Sequence, residues 1–495
     1  MIEHLDALSS LADLLGARAR SAGTLLIWRT QIRSVHRVLV QAGKTEESST
    51  ATSLGHGIQV FTPEGGTAFA SRDDFREDEA AVLLDRALEI AASGTRLGLH
   101  ASPLPDLVPE RGREVPPAAA AFERIDLHGV ALRLAELEAE IAAQVPGVTL
   151  KLSYTADRDA WRIFRSDGTD VLYVMPRCVL RVQATARGRE GPHSVGCSLG
   201  GPDPGLPWDE ISVRRLLQRA ESAARLAQKL PDAPPHRAGS FPMVIDYALA
   251  KGLAHEAFGH ASEADGYRSS ILARDGKLRI GEEVGARHVS IVDEPVPGDH
   301  AWQPWSANGI RRGRAVIVDH GRLAAGLADP WSAAQGGVAI TDAARAESFR
   351  NPPLPRMSNI RIEVGEPAAA PGTFESYGPE EVRDLLAAGG VLRRHRRLTF
   401  LSGYAGGQVN PATGDFVFQC KAVYELSQDG IVLHRPAIFA GSMFGALRSV
   451  REAFGPLRLD ALGTCGKWGQ NVPSSGGSHY FVVLDPDPTV RLGGA

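Results

Sequence analysis

An α+β fold with an antiparallel, β-rich C-terminal part, punctuated by helices and carrying a motif helix on one side, is predicted by three observations on this 495-residue chain. Apolar residues recur with period two in many short runs bounded by glycine, serine and threonine. Stretches of helical period stand between groups of those runs. Two proline-rich breaks, at 98–121 and 231–235, divide the chain into 1–115, 116–237 and 238–495, in keeping with ~100–200 residues per domain.

In the first part, 24–30, 36–42 and 57–61 read as strands and 77–92 as a helix, making a small α+β unit. The stretch 98–121, with Pro103, Pro105, Pro109, Pro116 and Pro117, reads as a linker or an extended crossing. In the second part an amphipathic helix over 127–145 precedes alternation through Leu150, Leu152, Tyr154, Trp161 and Ile163, and then over 171–182, which predicts antiparallel sheet. A helix over 209–229 stops before Pro231-Asp232-Ala233-Pro234-Pro235, which no helix tolerates. The third part opens with an apolar strand over 241–245 that leads into a motif helix. Short strands follow at 315–318, 359–364, 398–401, 416–424, 431–434 and 480–484.

Composition narrows the functional classes. A formal net charge of −4 gives no global attraction to nucleic acid or to an anionic membrane. The run Arg393-Arg394-His395-Arg396-Arg397 is the local exception, and such runs more often form a solvated face opposite acids, here Glu380, Glu381 and Asp384. No uncharged apolar run approaches ~18 residues, and acids stand where a secretory leader would be basic, so a cytoplasmic protein is expected. Cys178, Cys197, Cys420 and Cys465 form no Cys-x-x-Cys pair and no disulfide framework. Cys178 and Cys420 lie in alternating apolar runs and read as core packers. Cys465 differs, standing between Gly463 and Gly466 beside Lys467 in what reads as a flexible loop.

The chemistry concentrates in His255-Glu256-Ala257-Phe258-Gly259-His260. Two imidazoles with a distant thiolate suit a borderline-soft divalent ion such as Zn²⁺ and leave a fourth position for water, with Glu256 as the general base of a peptidase. Four residues separate the histidines, one more than in the common pattern. On a regular helix positions five apart differ by roughly 140°, against roughly 40° for positions four apart, so the helix must be distorted by a glycine kink or a π-bulge near Gly259. Glu263 and Asp265 follow within a turn and a half, placed to orient the imidazoles. Glu263 is also a rival third ligand to Cys465.

These residues, together with Pro353-Leu354-Pro355-Arg356-Met357-Ser358-Asn359 and Gly463-Thr464-Cys465-Gly466-Lys467-Trp468-Gly469-Gln470, make the chain resemble the TldD/PmbA (TldD/TldE) zinc metallopeptidase family, in its metal-bearing TldD form. Weaker similarity covers nearly the whole chain. The resemblance implies His255, His260 and Cys465 as zinc ligands and Glu256 as catalytic base. It implies a dimer, with a TldE-like partner subunit or as a homodimer, enclosing a chamber that admits unfolded peptide. Such substrates pair with a sheet edge, so backbone hydrogen bonds supply much of the affinity. Peptide maturation and clearance are the family's themes, and an association with DNA gyrase modulation gives the alternative of a non-catalytic binding protein. After Gln470 the chain departs from the family's usual ending. There His479 or Tyr480 is a candidate donor to the tetrahedral oxyanion or a substrate contact.

Overall fold

Alternation along four long strands decides how the first layer is built. The computed structural model describes residues 2–98, 106–189 and 191–493. Seven strands, β1 (Leu25–Gln41), β2 (Lys44–Phe61), β3 (Thr67–Arg72), β4 (Arg111–Glu114), β5 (Thr149–Arg165), β6 (Asp170–Gly188) and β7 (Gly191–Gly201), share one sheet in the order β3-β2-β1-β5-β6-β4, with β7 also on β6. Successive side chains of a strand point to opposite faces. Leu26, Trp28 and Ile32 of β1, with Leu172 and Val174 of β6, therefore pack under the helices Ser9–Ser21 and Glu77–Arg96. Their neighbours Ile27, Trp161, Ile163, Tyr173 and Met175 face the other way, against Trp302 and Trp305 of the C-terminal part. Farther along, Val38, Leu152, Leu180 and Val182 are covered by the helices Leu127–Gln144 and Glu210–Lys229.

The division expected at 115/116 falls inside this sheet. β1 pairs antiparallel with β5 from Ile27↔Arg165 to Gln41↔Lys151, joining strands from either side of it. A period-two pattern marks a strand but does not name its partner, so this pairing was not readable locally. Residues 99–105, with Pro103 and Pro105, lie outside the described residues. Beyond them the proline-rich stretch enters the sheet as β4, parallel to β6, and then turns helical at Ala118–Ala121.

The C-terminal part is a second sheet of thirteen strands. Near its middle β8 (Met243–Asp246) lies antiparallel to Gln470–Leu484 and parallel to Arg397–Asn410. Met243 and Ile245 point into one core with Phe416, Phe418 and Phe439, whereas Val244 joins Phe400, Phe481 and Leu386 on the opposite face. Each strand expected in this part is present. Among the described residues no helix is long and apolar enough to cross a membrane.

Candidate metal centre

The centre starts from a capped helix. The carboxylate of Asp246, the last residue of β8, accepts from the backbone N–H of Ala248 and of Leu249 at 3.1 and 2.9 Å, satisfying donors that a helix start leaves free. The helix runs as α over Tyr247–Gly252 and as π over Leu253–Gly259, then tightens to a 3₁₀ turn at His260–Ser262. The His260 N–H donates to the His255 carbonyl, an i→i+5 bond. That winding stacks residues five apart, so the distortion demanded by the spacing is present as a π segment. Gly259 has ordinary helical φ and ψ of −58° and −62°, so it supplies no kink. It makes room instead, because a Cβ there would collide with Met357 Sδ from the Pro353–Asn359 motif.

The two imidazoles lie edge to face with centroids 5.2 Å apart. Cys465 arrives from the opposite end of the sequence on the strand Gly463–Lys467, which hairpins with Gln470–Leu484 and sets Cys465 opposite Val472. It is buried and strand-bound, not in the flexible loop that its glycine neighbours suggested. Because Gln470–Leu484 also pairs with β8, the sheet delivers the hairpin to the helix. One ligand atom from each of His255, His260 and Cys465 lies within 4.8 Å of the others, and Cys465 Sγ is 3.6 Å from His260 Nε2.

Acidic and basic side chains around the trio orient it. Glu263 Oε2 accepts from His260 Nδ1 at 3.1 Å and from Lys467 Nζ at 2.8 Å, and Lys467 also reaches Asp265 Oδ1 at 2.7 Å. The carboxylate expected either to orient an imidazole or to rival the thiolate is thus engaged on the far side of the ring from the sulfur. Arg356 Nε donates to Cys465 Sγ at 3.3 Å, and its Nη2 bonds the Cys465 carbonyl. Arg345 Nη1 ties the Met357 and Pro473 carbonyls together at 2.6 Å each, holding that motif to the hairpin.

The titration shifts follow from this packing. Burial, then Lys251 and His260, holds the His255 imidazole well below its usual range, so it is neutral with a free lone pair. Burial opposes charge on His260 and on Cys465, but Glu263 and the thiolate raise the imidazole while His260 and Arg356 lower the thiol, the pattern of a thiolate–imidazolium pair. Burial raises the carboxyl of Glu256, against the pull of His260 and Lys251. His255 Nδ1 is buried without a partner, and such a group costs ~1–3 kcal/mol. An unpaired imidazole nitrogen, a thiolate and a second imidazole within one ion's reach fit zinc.

Sequence reasoning missed Tyr404. It sits where the register of Arg397–Asn410 slips between Tyr404 and Gly407, packs its ring over Gly252, and donates from Oη to Glu256 Oε1 at 3.3 Å. A bulge and a glycine contact of this kind leave no local signature. The two residues expected to touch the oxyanion are committed elsewhere. His479 Nδ1 donates to the Gly455 carbonyl at 2.8 Å while Nε2 accepts from Val364 N at 3.2 Å, so the ring has no donor left. Tyr480 Oη donates to the Gly372 carbonyl at 3.3 Å. The basic run is largely paired as well, though not with Glu380, Glu381 or Asp384. Arg394 meets Glu452, His395 meets Asp485 at 3.2 Å, and Arg397 meets Glu425 at 3.2 Å.

Fold and donor set together define a class, an α+β protein with a candidate centre of two histidines and one cysteine beside a buried carboxylate. Residues 238–475 match the family described as "PmbA/TldA metallopeptidase C-terminal domain", and 31–91 match "PmbA/TldA metallopeptidase domain 1". The chain belongs to the TldD/PmbA metallopeptidase family. A protein of Methanothermobacter thermautotrophicus named "Metalloprotease" is 27% identical over 451 residues, 90% of this chain and 91% of the relative. One of the same name from Archaeoglobus fulgidus is 30% identical over 335 residues, 67% of this chain and 71% of its own length. The crystal structure of TldE from Thermococcus kodakarensis shares the fold, with a TM-score of 0.74, 13% identity, and coverage of 98% of this chain and 100% of that one.

Proposed function

We propose that the chain is a zinc-dependent peptidase acting on extended or unfolded peptides, with His255, His260 and Cys465 as ligands and Glu256 as general base. The observation that carries this reading is the convergence of those three donor atoms within 4.8 Å, two from a π-wound helix that also carries Glu256 directly after His255 and one from the strand Gly463–Lys467. When bound, the ion supplies Lewis acidity toward a peptide carbonyl and toward water. Glu256, raised by burial toward the working pH, takes the proton of the attacking water and returns it to the leaving amine. Tyr404, whose Oη donates to Glu256, is released from that bond once Glu256 holds the proton of the water, and is then the donor for charge developing on the carbonyl oxygen, in place of His479 and Tyr480. Glu263, anchored by Lys467, holds the His260 ring with Nε2 toward the sulfur.

Membership of the TldD/PmbA family supports pairing with a TldE-like subunit or self-association, in peptide maturation or clearance. Mass measurement on the purified chain, alone and with such a subunit, separates the two assemblies. For the chemistry, Glu256→Gln is expected to abolish hydrolysis of an unfolded protein substrate while keeping the zinc content of the unsubstituted chain. Hydrolysis persisting in a variant free of other proteases removes Glu256 from its role.

A further inference from the structure

Beside the centre lies a cavity of about 530 Å³, within the ~300–1,000 Å³ range of small-ligand pockets, and Lys251 and Tyr404 are in its wall. Two of the three lysines in its wall, Lys251 and Lys421, lie inward of the exposed Lys229 and have no carboxylate within ion-pair distance. Lys251, four residues before His255, is 4% exposed, and its one hydrogen bond runs from Nζ to Ser474 Oγ at 3.1 Å. Lys421, from the strand Asp415–Ser427, donates to the Gly196 carbonyl at 2.6 Å. An ammonium has three N–H donors, so each lysine keeps two unused. Among the described residues neither forms an ion pair.

Of the other charges around the cavity, the two arginines are paired, whereas Lys229 and Glu380 are exposed and form no ion pair among the described residues. Arg219 meets Glu375 at 2.8 Å and Asp460 at 2.7 Å. Asp246 caps its helix and accepts from Gly403 N and Ser402 Oγ. Burial lowers both lysines from their usual range, against the pull of Cys465, Glu256 and Asp299 on Lys251 and of Cys197 and Asp246 on Lys421. Keeping a cation such as Lys251 out of water without a paired anion is costly, and Lys421 is half-buried in the same wall. Phe374, Tyr377, Phe400, Tyr424 and Phe481 give the wall an aromatic stretch, beside polar Gln218, Ser222 and Ser402.

We propose that this cavity is a substrate subsite for a peptide carboxylate flanked by apolar side chains, with Lys251 and Lys421 as the groups that bind the anion. The carboxylate comes either from the peptide's C-terminus or from an aspartate or glutamate side chain, and both present the same two oxygens. The subsite deepens the peptidase reading and rests on it.

Binding is measured on the full-length, zinc-loaded Glu256→Gln chain by fluorescence anisotropy with three probes: dansyl-Gly-Ala-Ala-Phe as free acid, the same peptide as its C-terminal amide, and dansyl-Gly-Ala-Glu-Phe amide. At least one carboxylate-bearing probe is expected to bind about tenfold to a hundredfold more tightly than the neutral amide, the worth of hydrogen bonds to a charged group. The tighter of the two identifies the source. Adding Lys421→Met, and separately Lys251→Met, removes most of that advantage and leaves affinity for the neutral amide in place. Equal affinity for all three probes overturns the proposal. That comparison needs no lysine variant, so a variant that fails to fold does not shelter it. Hydrolysis of unfolded protein by the unsubstituted chain is read separately. Hydrolysis without carboxylate preference refutes the subsite alone, and preference without hydrolysis keeps the subsite and refutes the peptidase reading.

Discussion

Gly259→Ala sets two physical effects against each other at the point where two motifs touch. The residue has helical dihedrals, so intrinsic propensity alone favours alanine by up to ~1 kcal/mol. Packing argues the other way. The new methyl would stand inside Met357 Sδ, 3.0 Å from Met357 Cγ and 3.2 Å from Ile360 Cδ1. Met357 is fully buried and its carbonyl is held by Arg345, so it has little freedom to withdraw. Overpacking of a filled core costs ~1–3 kcal/mol, which leaves a net loss of up to ~2 kcal/mol. Urea unfolding of the full chain, followed on the transition that includes the C-terminal sheet, is expected to shift to lower denaturant. Zinc retention against a competing chelator should weaken with it, because a displaced Met357 disturbs its neighbour Arg356 and hence Cys465. Met357→Ala should relieve the clash, so the double-mutant cycle shows a coupling above ~0.5 kcal/mol, the limit of additivity for independent sites. A Gly259→Ala chain as stable as the original, or a cycle that adds within that limit, refutes the packing argument.

Cys465→Ala is expected to lose stoichiometric zinc, whereas Glu263→Gln keeps one ion per chain with affinity down about 10–100-fold, and elemental analysis giving the reverse would transfer the ligand role to Glu263. Tyr404→Phe should lower kcat by roughly 10²–10³-fold with KM and zinc content little changed, the usual effect of removing one oxyanion donor, and an unaltered kcat dismisses the assignment. Acid should destabilise the N-terminal sheet through His56, whose ring accepts from Trp28 Nε1 at 2.7 Å and is pushed by burial from the usual 6.5 down to about 4. Above pH 6.5 both states are neutral and the contribution is whole; as pH falls from 6.5 toward 4 the unfolded chain takes up a proton that the folded ring refuses. Folding free energy should therefore drop by about 3 kcal/mol across that window, and a His56→Gln chain with the same acid slope would exclude this ring as the cause.

Some of the centre was legible in the chain because its constraints are local. The one-residue excess between His255 and His260 required a distorted helix, and the i→i+5 bond from His260 N to the His255 carbonyl is that distortion. Gly259 was noticed for the wrong reason, since its purpose lies in Met357, nearly a hundred positions away. Tyr404 and Lys251 carried no motif. Their significance comes from a register slip in one strand and from a cavity closed by the first sheet's Gly196 and the second sheet's Lys421. His479 looked available because the pairing of its strand with Val450–Arg458, which sets it beside Gly455, is invisible along the sequence.

Residue types and their short-range spacing were enough to single out His255 and His260 as candidate donors, with Cys465 and Glu263 as rivals for the third place, together with the carboxylate beside them, the helix that must bend and the faces each strand buries. Those properties depend on periodicity and on neighbours within a few positions. The tertiary structure alone decided that one sheet spans the expected first boundary, that the Cys465 hairpin reaches the histidines through Gln470–Leu484 and β8, and that Arg356, Lys467 and Tyr404 complete the surroundings. Strand order and register join residues hundreds of positions apart. They are chosen by the packing of the whole core, which no local window contains.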